Sequence, residues 1–233
     1  MPERRKTDPE GTRQAILDAA HQEFVAHGLS GARVEAIAAR TQTVKRMIYY
    51  YFGSKEGLYR AVLERTYAGI RATEAQLDLG ALPPREAIRR MVEATFDYHD
   101  ANPDFVRLIS VENIHHGRFV AQSEVIQRIN VTVLTTLAEV LARGAASGEF
   151  RAGLDAVDVH MMISALSFFR VSNRHTFGRL FDRDMTCGAM RVRHRALVVD
   201  AVLGAVAAPT EPSIDAPVNE PGIRRGASRG RGG

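Results

Sequence analysis

Along this 233-residue chain, apolar residues return chiefly every three or four positions. That interval stacks side chains on one face of a helix, and no segment alternates as a half-buried strand would. The first series is Ile16, Ala19, Ala20, Phe24 and Val25, and the stretch HGLSG at 27 to 31 stops it. Residues 32 to 40 predict a short helix that buries Val34, Ile37 and Ala38. A turn at Thr41-Gln42-Thr43 leads into a second short helix over 44 to 50. Gly53 and Ser54 then break the pattern, with Ser54 placed as N-cap of a helix that reaches the late seventies.

Downstream, Pro84 suits the first turn of a new helix, and Asn102 with Pro103 repeats the device as cap and first helical residue. Further helices are expected over 119 to 146, 155 to 177 and 185 to 206, joined by the polar connections GEFRAG and FDRDMTCG. The expected fold class is therefore all-α. Past residue 208 the chain turns rich in Pro, Gly and Ser, with little to bury, and predicts a disordered tail. Four of its last ten residues are Arg, which reads as a solubilising tail or as a non-specific electrostatic aid to DNA binding.

Composition adds limits. The apolar share of 45 % and charged share of 25 % are those of a globular protein with a sizeable core. One cysteine, Cys187, cannot form an internal disulfide, so nothing marks the chain as secreted. With no apolar leader and no apolar run approaching about 18 residues, a cytoplasmic protein with no membrane partner is expected. The formal net charge of +4 points only weakly to an anionic partner.

The distribution of charge and aromatics says more. The chain has no Trp and six Tyr, yet Tyr49, Tyr50 and Tyr51 are consecutive, with Phe52 next and Lys45, Arg46 and Lys55 beside them. From Ala36 to Lys55 there is no acid, while Arg40, Lys45, Arg46 and Lys55 are basic, which makes a local positive patch. Two short helices joined by a tight turn and flanked by longer ones form the helix-turn-helix pattern, whose second helix enters the major groove by its N-terminal end. Here that end is Thr43, Val44, Lys45 and Arg46. Four consecutive helical side chains cannot share a face. Ile48 and Phe52 are expected to pack inward against Ile37, Tyr49 and Tyr50 to reach outward, and Tyr51 to lie at the margin.

The segment RVEAIAARTQTVKRMIYYYFGSKEGLYRAVL, and YYFGSKEGL above all, resembles the N-terminal domain of the TetR family of transcriptional regulators. The likeness spans about residues 11 to 63. It implies that Lys45, Arg46 and Tyr49 read bases and that Tyr50, Tyr51 and Lys55 hold phosphates. Three positions depart from the family pattern. Gln42 stands where the turn usually has Gly, Met47 where a small hydroxyl residue is common, and Arg33 where Thr is common, adding either a phosphate contact or a surface charge.

The resemblance implies a flexible basic N-terminus over 1 to 10, a DNA-binding domain over 11 to 56, a ligand-binding and dimerisation domain over 57 to 207, and the tail over 208 to 233. On its own terms, the segment from Met161 to Phe169 is apolar nearly all round, as for a helix covered on several sides. Met190, Leu197, Val198, Ala201 and Ala205 make a stripe on the last helix. Two such helices pairing with their symmetry mates would form a homodimer suited to a palindromic double-stranded operator.

Polar residues on apolar faces mark a candidate ligand site. Glu112 and His116 share a stripe with Phe105, Leu108 and Ile109, while Asn173, Arg174 and His175 follow the apolar run ending at Phe169. These groups would face each other across a cavity, either around an effector or as an internal salt bridge. NPDFVRLISVENIHHG and NRHTFGRLF are similar to the subgroup of that family with regulators of pyrimidine use and nicotinate degradation, implying a polar heterocycle or carboxylate as effector. No cofactor or metal is expected, because Glu112, His115, His116 and His175 have no recognised ligand spacing. The leading expectation is a ligand-responsive dimeric repressor. A metal-assisted hydrolase built on Glu112 is the enzyme alternative, weakened by the absence of HExxH, Gly-x-Ser-x-Gly and a phosphate loop. A sequence-blind DNA-coating protein is the third reading.

Overall fold

The computed structural model describes residues 8–209. The expectations for the N-terminus over 1 to 10 and the tail over 208 to 233 lie outside the described residues, except at 8 to 10 and 208 to 209. At 8 to 10 the chain is already structured: the Asp8 side chain accepts from the Gly11 amide at 3.0 Å, and Pro9 opens the first helix. The described residues form eleven helices, with one isolated bridge between Phe150 and Ala207.

The first four helices are α1 (Pro9–Gly31), α2 (Val34–Arg40), α3 (Lys45–Phe52) and α4 (Lys55–Ala75). Gly28, at φ 65°, kinks the end of α1, a backbone angle that glycine adopts at no steric cost. Ser54 caps α4 by accepting from the Gly57 amide at 3.0 Å. Ile16, Ala20 and Phe24 of α1, Ile37 of α2, Ile48 of α3 and Leu58, Tyr59, Val62 and Leu63 of α4 close one core without solvent contact.

The remaining helices are α5 (Pro84–Ala101), α6 (Pro103–Ile114), α7 (Arg118–Ala121), α8 (Glu124–Ala146), α9 (Ala156–Ser172), α10 (Arg174–Leu180) and α11 (Gly188–Val206). The expected helix over 119 to 146 divides at Ser123, whose hydroxyl accepts from the Ile126 amide and donates to Glu64 at 2.7 Å. The expected helix over 155 to 177 divides at Asn173, where φ −107° and ψ 6° leave helical geometry. Asn102 is not the expected side-chain cap: its amide donates backwards to the Tyr98 carbonyl at 2.8 Å.

A second core lies between α5, α8, α9 and α11, around Met91, Phe96, Leu137, Ile163 and Val202. Although α8 is long and apolar enough by composition to match a bilayer, contrary to the sequence expectation, its stripe of Val133, Leu137, Val140 and Leu141 packs into this core. Arg191 and Arg195 of α11 reach Asp97, Asp100 and Glu93 of α5, which fixes how α11 sits. The first core does not stop at the helix-turn-helix. Leu108 of α6, Phe119 of α7 and Ile126 of α8 complete it, so the two halves of the chain share packed side chains.

Candidate nucleic-acid interface and internal polar cluster

Helix α3 is held by one fully buried side chain, Ile48. Its neighbours project outward: Val44, Lys45, Arg46, Tyr49 and Tyr50 are exposed, Thr43 and Tyr51 half-buried. Tyr50 is 77 % exposed and its ring meets that of Tyr51 edge-on at 5.3 Å, which spreads a phenol surface beside the cations. Phe52 is half-buried rather than wholly inside, with the Arg13 guanidinium over its ring at 5.5 Å. Lys55 donates to the Ser30 carbonyl at 3.4 Å, tethering α4 to the end of α1. The helix begins at Lys45, with Val44 as its cap residue and no capping side chain, so its first amides are open to an acceptor such as phosphate.

The turn before α3 shows how the missing glycine is accommodated. Gln42 takes the left-handed conformation, φ 52°, while Thr41 ties its hydroxyl to the Ile37 carbonyl at 3.1 Å. Two acids on the structure escaped the sequence reading. Glu35 of α2 forms an ion pair with Lys45, so the acid-free stretch begins one residue after the carboxylate that matters. Glu23 of α1 is buried, accepts from the Arg33 amide at 3.1 Å and lies 3.4 Å from the Arg40 guanidinium. It fixes the start of α2, while the Arg33 side chain is exposed.

The candidate ligand residues do not meet around one cavity. Buried Glu112 accepts from the Phe119 amide at 2.7 Å and the Val120 amide at 3.0 Å, capping α7 with its own carboxylate. Its other oxygen makes no well-aligned hydrogen bond and lies beside the buried Tyr59 phenol. Burial, together with the charge of Glu112, pushes the ionisation of that phenol upward. His116 is exposed at a left-handed turn position, φ 58°. Phe169 and Asn173 line a small depression of about 180 Å³ with Phe177 and His194, whereas Arg174 and His175 border a separate shallow cleft. The expected grouping fails because α6 turns at His115 and α9 stops at Ser172, which directs these side chains to different places.

A different polar cluster is buried where α4, α5 and α9 meet. Arg71 and Glu74 of α4 form an ion pair at 2.8 Å with little solvent access. Arg71 also lies 3.5 Å from the ring of His160 of α9, whose other nitrogen faces the Ser164 hydroxyl at 3.4 Å. His99 of α5 stacks on Phe105 at 5.3 Å. Burial and then the Arg71 charge push both histidines down to about 4, so both are neutral at pH 7. Burial pushes Glu74 up to about 7 against the pull of Arg71. Arg71 Nε, Glu74 Oε1, His99 Nδ1 and Ser167 Oγ lack hydrogen-bond partners, and Glu74 Oε2 has only its poorly aligned ion-pair contact with Arg71, so these three helices carry several under-satisfied buried atoms. Beside it, a groove of about 550 Å³ opens between α4 and α8, lined by Arg71, Glu74, Ala75, Ile129, Val133 and Thr136.

Comparison with known proteins bears on both regions. Residues 16–62 match the family described as bacterial regulatory proteins, tetR family. Residues 84–202, about half of the chain, match the tetracyclin repressor-like C-terminal domain. The chain belongs to the TetR family.

Among its relatives is the HTH-type transcriptional repressor NicS of Pseudomonas putida, 36 % identical over 174 residues, covering 75 % of this chain and 82 % of NicS. The HTH-type transcriptional repressor SCO4008 of Streptomyces coelicolor is 37 % identical over 112 residues, about half of each chain. Among solved structures, transcriptional regulator SCO4942 of Streptomyces coelicolor superposes with a TM-score of 0.64 at 27 % identity, over 85 % of this chain and 99 % of that one. As a TetR-family member, the protein is a DNA-binding regulator of transcription. Its relatives are regulators and not enzymes, which removes the hydrolase alternative.

Sequence reasoning missed Arg71, Glu74, His99 and His160. The available signal was weak: Arg71 and Glu74 are three apart, the spacing of an ordinary surface pair on a helix. His99 continues the apolar stripe of Ile88, Val92 and Phe96, and that was the visible clue.

Proposed function

We propose that this TetR-family protein is a homodimeric repressor that reads a palindromic operator with α3 and leaves it when a small effector binds its C-terminal helices. The observation that carries the reading is the division of α3, with Ile48 wholly buried and Tyr49, Tyr50, Lys45 and Arg46 turned to solvent. Lys45, Arg46 and Tyr49 read base edges, with Thr43 and Val44 at the groove edge. Tyr50, Tyr51, Lys55 and Arg33 serve the phosphates. The repressor assignment is supported by the similarity to NicS and SCO4008.

Dimerisation is supported by unpaired apolar residues on α9 and α11. Met161 is 63 % and Leu197 57 % exposed, and Val157, Phe169 and Val192 are exposed with them. The inner face of α11, Val199, Val202, Leu203 and Val206, is spent on the protomer's own core. The outer face, including Leu197 and Ala201, is left to a second copy.

Effector response runs along α4. Its upper part carries Arg71 and Glu74. Tyr59, twelve residues earlier or about 18 Å along the axis, packs edge-on against Phe24 of α1 at 5.1 Å and Phe119 of α7 at 5.2 Å. A shift at the groove therefore tilts the helix that α1 and α3 pack against, and changes the separation of the two recognition helices. Light scattering tests the dimer: twice the mass of one chain is expected, and Leu197→Glu with Met161→Glu yields monomer. A wild-type monomer bound to a single half-site refutes the reading.

A further inference from the structure

The groove between α4 and α8 has a charged floor and mostly apolar walls. Glu74 is 6 % exposed, lines the groove, and neither of its oxygens has a well-aligned hydrogen-bond donor. Arg71, also at the floor, has an unused Nε–H. We propose that this groove binds a small planar organic monoanion, a carboxylate, on the Arg71 guanidinium, and that Glu74 takes up one proton from solvent as the anion enters. This deepens the effector reading above and rests on it.

Charge balance drives the inference. The groups facing Arg71 and Glu74 are Tyr98 and His99 of α5, His160 of α9, Tyr67 of α4, and Asp78 and Glu139 at the groove rim. Arg143 is also near the rim, but its guanidinium is committed to the Gly80 and Leu79 carbonyls at 2.6 and 2.9 Å. With both histidines neutral, Arg71 is the one cation at the floor among the described residues. Its only charged partner at bonding distance there is Glu74. An entering anion beside an ionised Glu74 would bury two negative charges against one positive, which burial penalises heavily. Protonation of Glu74 removes that excess and leaves a neutral acid able to donate to the ligand. A guanidinium matches a carboxylate in plane and in spacing of donors, so a planar acid fits better than a compact inorganic ion. Ile129, Val133 and Ala75 supply the apolar contact for its ring.

The test is calorimetric titration of DNA-free protein with benzoate and a small panel of aromatic and heteroaromatic monocarboxylates, each beside its neutral carboxamide. At least one carboxylate should bind and its carboxamide should not. Its affinity should be flat below about pH 7 and fall roughly tenfold per pH unit above it, with one proton taken up, read from the dependence on buffer ionisation enthalpy. Glu74→Gln, which imitates the protonated acid, should keep binding and lose the pH dependence, and Arg71→Met should abolish binding. Three results would each overturn the proposal: affinity constant from pH 6 to 9, equal binding of acid and amide, or no binding across the panel. Because no DNA is present, this outcome is independent of whether an operator is released.

Discussion

Glu112 gives the sharpest contrast between a ligand residue and a structural one. Replacing it by Ala removes the acceptor of two amide hydrogens, Phe119 at 2.7 Å and Val120 at 3.0 Å, inside a core where water cannot substitute for Phe119. Each hydrogen bond to a charged acceptor contributes about 1.5–3 kcal/mol, so the loss is about 3–6 kcal/mol. Against a stability of about 5–15 kcal/mol for an ordinary domain, that is a large fraction. Glu112→Gln keeps one carbonyl acceptor and should cost only about 1–2 kcal/mol. The assay is urea unfolding at fixed protomer concentration, since the proposed dimer's stability would depend on it, with the slope checked for constancy. A Glu112→Ala protein within about 1 kcal/mol of the wild type would refute the capping role. If that protein also lost its effector response, Glu112 would be a ligand residue after all.

Other substitutions address other parts of the account. Lys45→Ala and Tyr49→Ala should each weaken operator binding by roughly 5- to 150-fold, the worth of a base contact, without changing the thermal melt; unchanged affinity in both would sink the recognition assignment. At Gln42, held at φ 52°, Gly should be within about 0.5 kcal/mol of wild type, because relief of a left-handed side chain offsets glycine's chain entropy. Gln42→Val should be less stable than Gln, because a β-branched side chain fits the left-handed region worst, and a thermal melt showing Val equal to Gln would contradict the turn geometry. His99, pushed down to about 4, is stabilising in its neutral form above pH 6.5, and that share is lost as pH falls towards 4. The share is about 3 kcal/mol, so His99→Gln should unfold less steeply with acid than wild type. Glu74 works in the opposite sense, gaining stability as pH falls below about 7, so the two proteins must be compared with each other, and equal acid slopes would rule out the buried neutral histidine.

How far the sequence could be read depended on the range of the interactions. Ile48 and Tyr50 are sorted by helical phase alone, so their opposite exposure was legible, as was the Ser54 cap three residues from its Gly57 partner. The division of 119 to 146 at Ser123 was hidden, because Glu64, 59 residues away, takes part in fixing that serine. The same limit explains Glu112. Its place on an apolar stripe was visible, but a carboxylate there can meet a ligand, a cation or a backbone turn, and the turn is what α6 and α7 supply. Arg71 and His160 are 89 residues apart, and no local pattern joins them.

The most direct test of the account is selection of bound fragments from a random duplex library by the purified protein, sequenced after several rounds. An enriched palindrome with two equal arms, half-sites about one helical turn or a multiple apart, is the expected result. Tight, salt-sensitive binding with no enriched sequence would contradict it, and would leave the exposed tyrosines and cations of α3 serving the phosphate backbone alone.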